Sequence, residues 1–161
     1  QLAQYINTIA NGGNRLRPYL LKAVYSPTKE GLTNLLNENE PVILNKINIE
    51  DKYMDRIRQG FRAVMQSGGT GVSYINTKYK AAGKTGTSQS FIDTDGNGVI
   101  DTETISSLFL GYFPTYAPKV SIAVVSPNSS HLNGDYNFAS LVTMRITKEV
   151  TNKYIQYYGA W

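Results

Sequence analysis

The stretch that most constrains this chain is Ala81-Ala82-Gly83-Lys84-Thr85-Gly86-Thr87-Ser88-Gln89. It sets a single lysine among glycines and small hydroxyl-bearing residues, so an extended ligand can lie along its backbone without meeting a bulky side chain. The pattern predicts an exposed, ligand-facing strand. Strand side chains alternate between two faces, so Thr85 and Thr87 share one and present two hydroxyls about 7 Å apart, suited to holding a carboxylate. Gly86 between them leaves the backbone open. Gly83-Lys84-Thr85 also completes the end of a phosphate-cradling G-x-x-x-x-G-K-[ST] loop, but Lys78 stands where that loop needs its first glycine. The residues after it, Gly86 and a Thr/Ser/Phe run, favour extended chain over the helix such a loop requires.

The bulk numbers narrow the function classes. A length of 161 residues is one domain's worth of chain, and 41% apolar with 17% charged residues is an ordinary globular balance that indicates no disorder. The net charge of +4 is spread along the sequence without a Lys/Arg cluster interleaved with aromatics, which argues against nucleic acid as a partner. With no cysteine, disulfides, thiolate nucleophiles and cysteine-ligated zinc all fall away, and a lone histidine, His131, removes His-pair metal sites. No run approaches the roughly 18 apolar residues of a membrane-spanning helix.

Around the central stretch the hydrophobic periodicity lays out the scaffold. Leu2, Tyr5, Ile6 and Ile9 form one face of an amphipathic helix that stops at Asn11-Gly12-Gly13, where glycine can adopt a left-handed cap. Arg17 to Tyr25 reads as a short strand followed by a polar loop through Gly31, with Pro41-Val42-Ile43-Leu44 returning as a small hairpin or flap. Asn48, three residues before Asp51, is the expected cap of a helix with core stripe Met54, Ile57, Phe61, Val64 and Met65, ended by Ser67-Gly68-Gly69. Beyond the central stretch come strands from Ser106 to Phe113 and from Val120 to Val125, the latter closed by Ser126-Pro127-Asn128. The last of these, apolar throughout, suits a covered sheet. A long helix follows, with Phe138, Leu141, Val142, Ile146, Val150, Tyr154 and Tyr157 on its packing face.

A Lys-Thr-Gly tripeptide arises by chance often enough that its surroundings must carry the reading. Here Ala82-Gly83-Lys84-Thr85-Gly86-Thr87, the Gly69-Thr70-Gly71 turn upstream and Phe109-Leu110-Gly111-Tyr112-Phe113-Pro114 downstream together resemble the C-terminal half of the transpeptidase domain of a class B penicillin-binding protein. Serine β-lactamases and D,D-carboxypeptidases share the motif; the long helix and hairpin before it favour the transpeptidases. The resemblance implies an α+β, partial penicillin-binding (serine β-lactamase-like) fold: three antiparallel strands packed with helices, the C-terminal helix lying on the sheet. In the family those strands belong to a five-stranded sheet, so one sheet edge is expected to be bare and able to pair with a second copy.

The same resemblance implies a parent peptidoglycan D,D-transpeptidase, acting on D-Ala-D-Ala stem peptides and acylated by β-lactams at the extracellular face of the bacterial cell membrane, with no cofactor and no metal. Lys84, Thr85 and Gly86 match the catalytic Lys-Thr-Gly, Thr85 and Thr87 the carboxylate-binding hydroxyls, and the Thr87 backbone N–H one oxyanion-hole donor. The family's Ser-x-x-Lys and Ser-x-Asn motifs should precede this strand, and neither does so in usable form. Residues 1–161 are therefore expected to be the C-terminal part of one transpeptidase domain, inactive alone, its partner being the rest of that domain, which bears the nucleophile and, further upstream, the membrane anchor.

Other constellations are weaker. Ser26-Pro27-Thr28-Lys29 has Ser-x-x-Lys spacing, but Gly31 follows at once and leaves no helix to hold a lysine one turn from the serine. Ser126-Pro127-Asn128 comes after the Lys-Thr-Gly strand, the wrong order, and reads as a turn. His131 has Ser129 and Ser130 beside it yet no carboxylate to orient its ring, so it reads as a solvated loop residue. Asp93-Thr94-Asp95-Gly96-Asn97-Gly98-Val99-Ile100-Asp101 meets an EF-hand loop at positions 1, 3, 5, 6 and 9, but position 12 is Thr104 where a bidentate Glu belongs. The alternatives are an Asx-turn connection between strands and, as a different functional class, a calcium-dependent or non-catalytic wall-binding module.

Overall fold

The structure, a computed structural model, describes residues 1–71, 79–130 and 142–160. In chain order these form α1 (Leu2–Ala10), β1 (Asn14–Leu16), β2 (Ala23–Thr28), β3 (Gly31–Glu38), β4 (Ile43–Lys46), α2 (Asp51–Val64), β5 (Ala82–Ile92), β6 (Thr102–Phe113), β7 (Val120–Ser130) and α3 (Met144–Tyr158). The principal sheet is antiparallel in the order β5-β6-β7; β1 pairs with β4 and β2 with β3 in two small separate sheets.

Alternation along β6 builds the two cores. Leu110 and Tyr112 point to one face and meet Ile6, Ile9 and Ala10 of α1, with Ala82 of β5 beside them. Phe109 and Phe113 point to the other and meet Met65, Tyr79 and Met144, with Ile155 of α3 packed against them. The sheet is thus the middle layer between α1 and α3. The end of α2 reaches both faces, Phe61 packing against the first core and Val64 against the second, so it passes the open side of β5.

Helix α1 ends as its sequence dictates. Gly12 takes φ +85°, and the Gly12 and Gly13 N–H groups donate back to Ile9 and Thr8 carbonyls, closing a Schellman cap that spares the last carbonyls from going unpaired. The Arg58 side chain donates to the Ile9 and Ala10 carbonyls at 3.1 and 2.7 Å, tying α2 to that same terminus.

Several expectations are corrected. The expected strand from Arg17 to Tyr25 is divided: β2 folds directly onto β3, while β4 reaches back to β1, Asn14 facing Lys46, and Arg17 extends that pairing by donating its N–H to the Val42 carbonyl at 2.8 Å. Strands of three and four residues carry too little alternation to announce a long-range partner. Asn48 does not cap α2; Glu50 holds the cap position, without a side-chain bond. Ile57 stays 40% exposed, so it drops out of the expected core stripe while Met54 and Met65 are buried.

The packing face of α3 is also different from the apolar stripe. Thr143, Met144, Thr147 and Thr151 are buried, whereas Ile146, Val150 and Tyr157 are exposed, and Phe138 and Leu141 lie outside the described residues. The hydroxyls of Thr147 and Thr151 donate to the carbonyls four residues back, which satisfies them inside the helix and makes their burial cheap. Nor does β7 end at Val125. A register shift opposite Ser106 absorbs Pro127 and Asn128, Asn128 adopts φ +48° and donates its N–H to Ser106 Oγ, and pairing resumes at Ser129. A proline without an N–H fits such a bulge as well as it fits a turn.

Candidate functional site

Strand β5 is one of the two edge strands of the principal sheet among the described residues, β7 being the other, and it carries the Lys-Thr-Gly stretch. Ala82 and Gly83 are buried at its start; Lys84 and Thr87 are exposed, with Thr85 and Gly86 half-buried between them. Its pairing with β6 runs without a bulge from Ala82 opposite Tyr112 to Ile92 opposite Thr102. Thr85 and Thr87 lie on one face, over Phe109 and Ser107, and Lys84 and Gly86 on the other, over Leu110 and Leu108.

The ladder also fixes where the backbone groups point. A Cβ added at Gly83 would meet the Leu110 carbonyl oxygen at 2.8 Å and one at Gly111 the Ala82 oxygen at 3.0 Å, which places both oxygens between the two strands. Ala82 and Lys84 therefore turn their backbone groups toward β6, and by alternation Gly83, Thr85 and Thr87 turn theirs to the open side. The Lys84 ammonium agrees with this, donating to the Thr85 carbonyl at 2.6 Å. The site is thus an edge that offers outward N–H groups, two hydroxyls and a cation within four residues.

Two glycines have different reasons. A Cβ on Gly83 would come within 2.4 Å of the Phe109 ring and 2.8 Å of the Leu110 oxygen, so close strand packing excludes one. A Cβ on Gly86 would meet Leu108 Cγ at 2.8 Å. The requirement at Gly86 thus comes from the sheet beneath it as well as from the open backbone that the sequence suggested.

One contributor went unassigned in the sequence reading. Thr70, in the Gly-Thr-Gly turn, places its Oγ1 at 2.9 Å from that of Thr85. The only sequence signal was a hydroxyl held between two glycines just after a helix.

The remaining candidates separate from this edge. Ser26 and Thr28 lie in β2, and Thr28 closes the hairpin turn by donating to the Gly31 carbonyl, so no helix sets the spacing to Lys29. Ser126 bonds Ser129 at 2.8 Å within β7, and His131 lies outside the described residues. Asp93 accepts backbone N–H bonds from Gly96 and Gly98 at 2.7 and 2.8 Å, and Asp95 accepts from Asn97. The Gly98 N–H chiefly holds the Asp93 carboxyl below its ordinary value, outweighing desolvation, with Gly96, Asp95 and Asn97 adding to the lowering. Thr104, the would-be twelfth ligand, is buried in β6 and bonded to Ser90 at 2.9 Å. Asx turns thus organise this connection between β5 and β6, with the Asp93 and Asp95 carboxylates bonded to backbone N–H groups and Asp101 accepting from the Thr102 hydroxyl.

Comparison with known proteins places the chain in a family. The model of the penicillin-binding protein transpeptidase domain matches residues 1–152, and the chain belongs to that family. Penicillin-binding protein 2A of Bacillus subtilis (strain 168) is 36% identical over 157 residues, 97% of this chain and 22% of that protein. Penicillin-binding protein 2B of Streptococcus pneumoniae R6 is 32% identical over 163 residues, 98% of this chain and 22% of that protein. The solved structure of the latter superposes with a TM-score of 0.77 at 31% identity, covering 98% of this chain and 24% of that one. The chain thus spans about a fifth of the length of these relatives.

Proposed function

We propose that this chain is the C-terminal, substrate-strand part of the transpeptidase domain of a class B penicillin-binding protein, whose parent cross-links peptidoglycan stem peptides on the extracellular face of the bacterial membrane. The observation that carries the reading is the open β5 edge, where Lys84, Thr85 and Thr87 stand together in a chain that matches the family over residues 1–152.

In this reading a serine contributed by the parent from outside residues 1–161 attacks the carbonyl of the penultimate D-Ala. Its oxygen forms an ester to that carbonyl carbon, the peptide bond to the terminal D-Ala breaks, and the departing amine takes up a proton. An acceptor amine then attacks the ester, forming the cross-link amide and returning the proton to the serine. A β-lactam enters the first step through its ring amide and stays attached. Hydroxyls of Thr85 and Thr87 hold the terminal carboxylate, the Lys84 ammonium supplies compensating charge, and the outward Thr87 N–H donates to the developing oxyanion. An oxyanion-hole donor of this kind is worth about 3 kcal/mol in the transition state.

Acylation by a labelled penicillin tests this. The full-length protein is expected to be acylated, Lys84→Ala and Thr85→Val to slow the reaction, and residues 1–161 alone to form no adduct. One stable adduct per chain of residues 1–161 would reveal a nucleophile within them and overturn the assignment.

A further inference from the structure

The Gly69-Thr70-Gly71 turn is built so that its one side chain reaches β5. Gly69 donates its N–H to the Gln66 carbonyl at 2.8 Å and Gly71 to the Val64 carbonyl at 2.9 Å, which seats the turn on the end of α2. Backbone excludes a side chain at Gly69, where a Cβ would stand 2.2 Å from the Val64 oxygen, and a Cβ on Gly71 would displace the Met65 sulfur, 2.5 Å away. Thr70 alone projects, and its hydroxyl meets that of Thr85 at 2.9 Å.

A hydroxyl has one proton to give and two lone pairs with which to accept. A carboxylate can only accept, so a Thr85 that binds one must aim its single proton at it. The 2.9 Å contact then has one consistent direction, with Thr70 donating and Thr85 accepting. Without that donor the Thr85 hydroxyl is free to rotate and to spend its proton elsewhere. The chain Thr70 O–H to Thr85 O–H to carboxylate also polarises Thr85, since each hydrogen bond in a series strengthens the next.

We propose that Thr70 is a positioning residue for the carboxylate subsite: its hydroxyl donates to Thr85 and fixes the Thr85 proton toward the open edge, where the terminal carboxylate of an acyl-D-Ala peptide or a β-lactam is received. This rests on the reading of Thr85 given above and deepens it. Thr70 touches no reacting atom; it acts through Thr85. The Lys84 ammonium on the Thr85 carbonyl, at 2.6 Å, secures the same residue from its backbone side.

The test compares second-order acylation rates of the full-length protein with a penicillin bearing its free carboxylate and with the matching carboxamide, for Thr70→Val, Thr70→Ser, Thr85→Val and the Thr70→Val/Thr85→Val double variant. Thr70→Val is expected to slow the carboxylate ligand roughly three- to tenfold, the worth of one neutral hydrogen bond, and to leave the carboxamide rate unchanged. Thr70→Ser should retain the parent rates, showing that the hydroxyl matters and the turn is intact. The double variant should be no slower than Thr85→Val, because both substitutions remove one chain of bonds. Thr70→Val slowing both ligands alike, or neither, while Thr85→Val still discriminates between them, overturns the role of Thr70 and leaves the carboxylate reading standing. A Thr85→Val variant that treats both ligands alike overturns both.

Discussion

Strands β5 and β6 are hydrogen-bonded neighbours of almost equal length, yet one is available for chemistry and the other is sealed. Along β6, Phe109, Leu110, Tyr112 and Phe113 are buried on two faces at once, each face covered by its own helix. Their partners on β5 include exposed Lys84 and half-buried Thr85. The backbone conformation and register are shared, so neither sets the difference. Position decides it: a central strand has neighbours on both sides, whereas an edge strand keeps every second N–H and C=O unspent. An edge is a hazard in most sheets, and here the same unsatisfied row is what a peptide-like ligand can use.

Substitutions can break or sharpen this contrast, and the largest effect belongs to the sealed strand. Phe109→Ala removes a ring at 0% exposure from the second core and is expected to cost about 3–5 kcal/mol. Chemical denaturation reads this directly, and a loss under about 1 kcal/mol would mean that face is not packed as described. Gly83→Ala tests the buried start of β5, where the added methyl meets both the Phe109 ring and the rigid Leu110 backbone oxygen. About 1–3 kcal/mol should be lost there. At Gly86 the obstacle is the half-buried Leu108 side chain, which can turn aside, so Gly86→Ala should cost less, about 1 kcal/mol. If Gly86→Ala proved more damaging than Gly83→Ala, the gradient from sealed to open along β5 would be wrong.

Lys84→Ala should change the unfolding free energy by no more than about 0.5 kcal/mol, since an exposed side chain bonded to the next carbonyl holds little of the fold. A large loss of stability would make Lys84 a structural residue and weaken its assignment to the site.

The smallest effect concerns the connection between the two strands. Asp93 has a folded-state pKa lowered below its ordinary 3.8, so its contribution is fully present above that value. It is lost as pH falls through the lowered value. Amide exchange at Gly96 and Gly98, corrected for intrinsic rates, should therefore accelerate locally under acid while the strands stay protected. Protection at Gly98 that persists in Asp93→Asn would show that the carboxylate does not organise the loop.

Legibility in the sequence followed the range of the interaction. Ile6 and Ile9 announced the buried face of α1, and Gly12-Gly13 its end, because helix period and cap geometry are set within a few residues. The same local logic exposed Ala82 to Thr87 as a strand with two hydroxyls on one face. It failed where a polar residue was satisfied by its own helix, as Thr147 and Thr151 are, since hydropathy counts their hydroxyls as unburiable. It failed at Pro127-Asn128 because turn residues and bulge residues are the same residues.

The amino-acid order alone determined the motif strand, its alternation, the helix it follows and the family pattern, all of which rest on spacing between near neighbours. Tertiary structure alone decided that β5 lies at an edge, that β4 crosses back to β1, and that Thr70 comes within 2.9 Å of Thr85 from fifteen residues away. Such proximities depend on which long loops close and which faces pack. That balance of chain entropy against burial is a property of the whole molecule and leaves no local mark.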